Sequence, residues 1–204
     1  TIDAAMADLQ PATLSWGSGT ATFGTNRRNN PAAQVPQLRA EGKLRGPSDH
    51  DVPVLAVRDS AGKLKAVVFG YACHATTLAL FQWCGDYPGY AQIELEQSQP
   101  GCQAMFWAGC GADQNPLPRR TVELAMEYGR QLAAAVNGAL AKEMKPVAVK
   151  LATDFREVDL PFAALPTREQ IEQDAKSENR YTAARAKLLQ MQIADGKPLS
   201  PTYP

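Results

Sequence analysis

The sequence predicts an α/β fold: a mixed β-sheet with a βαβ core and flanking helices, forming an incomplete part of a larger catalytic domain. Three observations predict it. Val67–Tyr71 and Ala104–Trp107 are short apolar runs, rich in β-branched and aromatic residues and bounded by polar ones, as buried strands are. Between them, Tyr90–Gln97 alternates acidic and apolar positions as a short helix stopped by Pro100-Gly101. Both runs end in loops full of Gly, Asp, Asn and His, Cys73–Leu78 and Gly109–Pro116, so a site is predicted at the carboxyl ends of parallel strands.

The remaining elements follow in chain order. Thr1–Leu9 reads as a last helical turn. Ala12–Phe23 reads as a strand in which Gly17 and Gly19, with Gly24 just beyond, mark close backbone approach or bulges. Thr25–Pro31 is an irregular loop, and Pro31–Pro53 a long Pro- and Gly-punctuated excursion without periodicity, of the kind that lines sites. Val54–Arg58, a turn at Asp59–Lys63 and Leu64–Tyr71 make a β-hairpin. Thr121 caps a helix whose inward residues Val122, Ala125, Gly129, Leu132, Val136 and Leu140 recur at three and four. Pro146 ends it, and Val147–Val158 alternates as a further antiparallel strand. Thr167 and Gln170 form a capping box for a charged helical stretch, Ile171–Ile193, stopped by Gly196 and Pro198 before an extended Leu199–Pro204. Residues 1–158 are thus read as the α/β core and 159–204 as a helical excursion of the same domain. A start at Thr1 rather than Met suggests a processed or excised piece.

Composition excludes some classes. Lys plus Arg and Asp plus Glu are both 21, so no net field attracts nucleic acid or an acidic membrane. No apolar run approaches the roughly 20 residues that span a bilayer. Cys73, Cys84, Cys102 and Cys110 match no Cys-x-x-Cys zinc pattern. They read either as small buried hydrophobes or as containing one disulfide, Cys84 to Cys102. Cys73 and His74 are neighbours along a strand and point to opposite faces, which argues against a Cys–His catalytic pair.

His74, leaving a buried strand, suits either a zinc ligand or a histidine hydrogen-bonded at a strand end. His50 reads as a solvated loop residue between two carboxylates. With two histidines and no His-Glu-x-x-His, the chain cannot close a three-histidine zinc site, so a catalytic metal would recruit carboxylate, tyrosine or groups outside residues 1–204. Asp86 and Asp113 are the loop carboxylates at the same sheet edge, as turn caps or as ligand-facing groups, and Asn115 joins them as a substrate-binding candidate. Arg27 and Arg28 offer forked donors for a carboxylate or an oxyanion. Gly109 and Gly111 could form an anion-binding nest.

As a set, these pieces resemble the N-terminal catalytic domain of the neutral/alkaline, non-lysosomal ceramidase family. The resemblance runs over the first two-thirds of the chain, through Asn26-Arg27, Val54–Val57, Phe69–Leu78 with its His-Ala-Thr, Gly85–Ala91 and Cys110–Pro116. It departs from the usual family form at Gln114-Asn115-Pro116. It implies a Zn2+-dependent amidase that cleaves the N-acyl bond of ceramide to sphingosine and a fatty acid, exported as a secreted, periplasmic or envelope-associated protein. It further implies His74 as a zinc ligand and Arg27 as a catalytic group, the other ligands lying outside this sequence. Zinc lowers the pKa of its water to about 7, the property such hydrolysis uses. A metal-independent hydrolase with His74 as base, and a non-catalytic ligand-binding domain, are the competing readings.

Overall fold

A computed structural model describes residues 2–148 and 150–203, which divide along the sequence into two compact units, one before residue 150 and one from it onward. The first unit holds helix α1 (Ile2–Ala7), strands β1 (Ala12–Thr20) and β2 (Gly24–Asn26), a 3-10 turn (Ala32–Gln34), α2 (Val35–Ala40) and the hairpin β3 (Asp51–Asp59) and β4 (Leu64–Tyr71). There follow α3 (Asp86–Ser98), β5 (Gln103–Ala108), β6 (Gln114–Pro116), α4 (Val122–Leu140) and β7 (Lys145–Pro146). The main sheet has the order β5-β4-β3-β1-β7; β4 and β5 run parallel and the other pairs antiparallel, so the sheet is mixed and β4-α3-β5 is its βαβ unit. β2 and β6 form a separate antiparallel ladder with Asn26 opposite Gln114.

The buried side chains of the sheet come from alternate positions, Val52, Val54 and Ala56 of β3 and Val67, Phe69 and Tyr71 of β4, and they pack with Leu95 of α3 and Leu132 and Val136 of α4. β1 turns its small residues to the same side. A Cβ added at Gly19 would lie 2.3 Å from the Ala135 carbonyl oxygen, so glycine here lets α4 lie directly on the strand. The other face keeps Leu14, Trp16, Met105 and Trp107 exposed and frames an apolar hollow of about 230 Å³ lined by Trp16, Leu55, Val68 and Trp107.

Phe23 lies at the centre of an aromatic cluster. Its ring stacks on Tyr128 at 4.6 Å and 14°, meets Tyr71 at 4.7 Å and takes Tyr87 edge-on at 5.0 Å. Each tyrosine hydroxyl is satisfied by backbone: Tyr71 donates to the Ala21 carbonyl (2.7 Å), Tyr87 to that of Cys73 (2.7 Å) and Tyr128 to that of Pro118 (2.6 Å).

The second unit holds β8 (Leu160–Pro161), α5 (Arg168–Asp174), α6 (Arg180–Ala194) and β9 (Thr202–Tyr203), with β8 and β9 paired antiparallel. The Thr167–Gln170 capping box forms as expected. An apolar groove of about 670 Å³ runs between Phe162, Leu165, Leu189, Leu199 and Tyr203.

Several expectations change. Val147, Ala148 and Lys150–Val158 form no strand, and Val149 lies outside the described residues; only Lys145–Pro146, just before, joins the sheet, beside Ser15 and Trp16. The alternation over 147–158 carries Leu151, Phe155 and Val158, all exposed, so no burial fixes it. Pro31–Pro53 is not structureless: the 3-10 turn and α2 occupy its start, anchored by fully buried Val35 and by Arg39, whose guanidinium donates to the carbonyls of Phe23 (3.1 Å) and Leu117 (2.8 Å). The stretch Ile171–Ile193 is two helices, because Asn179 caps a new start through Tyr181 and Thr182 amides. Val122 of α4 is exposed rather than inward. Thr1 and Pro204, the ends of the first and last expected segments, lie outside the described residues.

Phe23→Ala should cost about 3–5 kcal/mol in urea denaturation. Tyr87→Phe, which strands only the buried Cys73 carbonyl, should cost about 1–3 kcal/mol.

Candidate functional site

The ends of β4 and β5 meet the β2–β6 ladder, and the polar residues gather at this junction. Gly111 comes so close to β4 that an added Cβ would lie 2.5 Å from both the Ala72 carbonyl carbon and the Cys73 nitrogen. This approach lets Gln114 bind across: its Nε2 donates to the Ala72 carbonyl (2.6 Å) and to that of Asp49 (3.3 Å), and its own carbonyl accepts from the His74 amide (3.1 Å). One residue earlier, the Asp113 carbonyl accepts from the Arg27 amide (2.8 Å). His74 and Arg27 are thus fixed, by backbone bonds, to consecutive residues of one segment.

Their side chains remain available. The His74 ring, half-buried, makes no hydrogen bond to another described residue. Arg27 is exposed and uses Nε on the Ala112 carbonyl (3.0 Å), which leaves its two terminal nitrogens free of partners among the described residues. Arg28 is exposed too; its amide, with that of Asn29, donates to Asn26 Oδ1 (3.0 and 3.1 Å), so Asn26 caps this turn. Asn26 Nδ2 reaches Asp113 Oδ2 at 3.4 Å. Asn115 is buried in β6 opposite Thr25.

Asp86 has a structural task. It is buried, sits at φ 52° at the start of α3, and its carboxylate accepts from the amides of Thr77 (3.2 Å), Leu78 (2.8 Å) and Tyr87 (2.7 Å). Gly85–Ala91 is accordingly the first turn and a half of α3 rather than a loop, which lengthens the expected Tyr90–Gln97 helix at its start. The carboxylate clamps the His74–Leu78 turn to α3 and offsets the cost of a left-handed backbone.

Two residues at the junction escaped sequence reasoning. Arg119 Nη1 donates to Thr76 Oγ1 (3.1 Å), and Arg120, at φ 102°, donates through Nη1 to the carbonyls of Thr76 and Leu78 (3.3 Å each). Burial, and then the neighbouring Arg120 and Arg27, hold the Arg119 pKa below its usual value. Nothing in the spacing of Arg119-Arg120, just before the Thr121 cap, signals that they return to Thr76.

Other expectations are corrected here. His50 is not simply solvated: its Nε2 lies 2.9 Å from the Gly24 carbonyl oxygen. The Gly109 and Gly111 amides form no nest, since they donate to the carbonyls of Tyr71 (3.1 Å) and Gly109 (2.8 Å). All four cysteines are free thiols, Cys73 and Cys102 buried and Cys84 and Cys110 exposed, so Cys84 and Cys102 are not bridged. Burial pushes the Cys73 thiol up to about 12, which keeps it protonated near neutral pH.

The zinc reading has one donor in its favour. His74 suits a ligand because its ring is unengaged and its backbone is fixed. Among the described residues no group of three His, Cys, Asp or Glu side chains could hold a metal ion, so they do not make a complete site. No described helix is long and apolar enough to cross a membrane.

Two outcomes are expected. Asp86→Gly, which suits the φ but deletes the clamp, should still destabilise by about 1–3 kcal/mol and speed amide exchange at Thr77, Leu78 and Tyr87. Burial raises the Cys73 pKa from its ordinary 9.0, so the folded state binds a proton that the unfolded state releases. The contribution of Cys73 to stability should therefore be level below pH 9 and fall as pH rises toward about 12, in urea midpoints compared with Cys73→Ala. Ellman's reagent at pH 8 should label Cys84 and Cys110 rapidly and the buried pair only after denaturation.

No protein-family model matches the chain, and no curated protein does. Solved structures do. A ceramidase complexed with C2 superposes with a TM-score of 0.59 at 20% identity, over 72% of this chain and 25% of that one. Neutral ceramidase from Pseudomonas aeruginosa superposes with a TM-score of 0.61 at 20% identity, over 100% of this chain and 34% of that one. The chain spans about a third or less of the length of these ceramidases. This chain shares its mixed α/β fold with part of neutral ceramidase.

Proposed function

We propose that this chain forms part of the catalytic domain of a ceramidase-like hydrolase that cleaves an N-acyl amide, ceramide or a related lipid. The observation that carries the reading is the junction itself: an unengaged imidazole and an unengaged guanidinium tip are tethered to the consecutive residues Gln114 and Asp113, in a fold shared with neutral ceramidase. His74 would be one donor to a zinc ion, with the remaining ligands from outside residues 1–204. The metal would supply Lewis acidity toward the amide carbonyl.

The chain's own residues have distinct tasks. Arg27, with Nε held by Ala112, directs its two terminal nitrogens to the carbonyl oxygen, where negative charge grows as the amide is attacked; a donor already oriented need not reorganise as that charge develops. The Gln114 carbonyl fixes the backbone from which the His74 ring projects, and Asp86 clamps the turn that follows. Asp113 and Asn115 stand on the same segment as substrate-facing or supporting groups. Export to a secreted, periplasmic or envelope location belongs to the same proposal.

In the parent protein, His74→Ala should abolish both bound zinc, by elemental analysis, and hydrolysis of a fluorogenic N-acylsphingosine. Arg27→Ala should keep the zinc and lower kcat by about 10²–10³-fold. Unchanged zinc and activity in His74→Ala would remove His74 from the site.

A further inference from the structure

Arg119 is a partly buried charge at the junction with no counter-ion among the described residues. Its Nη1 donates to Thr76 Oγ1 (3.1 Å), while its Nε and Nη2 have no partner among the described residues. The ion pairs of those residues lie elsewhere, at Lys43–Glu41, Arg130–Glu127 and Arg156–Asp154. Asp86, on the same turn, is buried and engaged by the amides of Thr77, Leu78 and Tyr87. Burial, and then the positive charges of Arg120 and Arg27, disfavour the charged form of Arg119. A guanidinium partly withdrawn from water among like charges calls for an anion.

Arg120 does not share this freedom. Its amide donates to the Thr77 carbonyl (2.6 Å) and its Nη1 to the carbonyls of Thr76 and Leu78, so it fastens the turn and fixes the backbone next to Arg119. Thr76, which receives Arg119, donates its own amide to the His74 carbonyl (3.0 Å). Arg119 is therefore tied two residues from the unengaged imidazole. Arg27 is tied to the segment that holds that imidazole. The junction thus carries two guanidiniums with unengaged nitrogens, where the developing oxyanion of an amide needs only one.

We propose that Arg119 binds a carboxylate of the substrate, which makes the substrate class an N-acyl amino acid rather than a neutral N-acyl amino alcohol such as ceramide. The assignment rests on the reading that His74 and Arg27 address the scissile amide. In an N-acyl amino acid the carboxylate carbon lies two bonds from the amide nitrogen. A group that recognises it must stand beside those that address the carbonyl, as Arg119 does through Thr76. The planar guanidinium fork matches the two carboxylate oxygens. A hydroxyl at the same place accepts a hydrogen bond but brings no charge to offset the neighbouring arginines.

N-octanoylglycine and N-octanoylethanolamine test it, because they differ only by a carboxylate against a hydroxymethyl group and dissolve without forming a lipid surface. Isothermal calorimetry on the parent protein should show the glycine conjugate binding roughly ten- to a hundredfold more tightly. Arg119→Gln should bring that ratio close to one, and Arg119→Lys, which keeps the charge but loses the fork, should leave it in between. Should Arg119→Gln lose the wild-type circular dichroism, Arg119→Lys carries the test. A merely structural arginine would not move this ratio. Equal binding of the two conjugates by the wild type, no binding of N-octanoylglycine, or a ratio unchanged by both substitutions would each overturn the assignment, the last by giving Arg119 to a carboxylate of the parent's own chain. Hydrolysis is read separately: the binding preference with neither conjugate cleaved would overturn the hydrolase reading and leave the carboxylate site standing.

Discussion

The wedge of Phe23 among Tyr71, Tyr87 and Tyr128 is the contact on which the rest depends. Three tyrosines from β4, α3 and α4 converge on one ring, and each spends its hydroxyl on a different piece of irregular backbone: Ala21, Cys73 and Pro118. The apolar bodies of these side chains belong to the core and their polar ends to the junction. Packing of the sheet against its helices therefore fixes the loops at the same time. Burial raises the pKa of all three phenols above the ordinary tyrosine value.

From that wedge the polar layer is built by backbone rather than by side-chain pairing. Gln114 and Asp113 accept from His74 and Arg27, Asn26 caps the turn after β2, and Asp86 closes the turn after His74. Side chains that could do chemistry are left free because positioning is delegated to amides and carbonyls. The likeness to neutral ceramidase, at 20% identity, shows that the fold is kept while most of the sequence differs.

The βαβ core, the hairpin and the α4 amphipathic face were legible in the sequence because burial imposes periods of two and of about 3.6 that survive without tertiary knowledge. The capping box at Thr167 was legible because its partners are three residues apart. What escaped reading is non-local or depends on an end state. Asp86 reads somewhat more as a cap than as a ligand, and only the amides of Thr77 and Leu78 pointing at it decide the matter. Arg119 and Arg120 act some forty residues from their partners. The alternation of Val147–Val158 has the period of a strand, yet without a neighbour its described residues stay irregular. His74 and Arg27 were singled out as residue types; that they hang from adjacent residues of one segment is a fact of topology.

The edge made by β7 has a consequence of its own. It is two residues long and ends in Pro146, opposite Ser15. Proline has no amide hydrogen to offer a further strand. Strand addition, the usual liability of an open sheet, is thus disfavoured at this point of the edge by covalent structure.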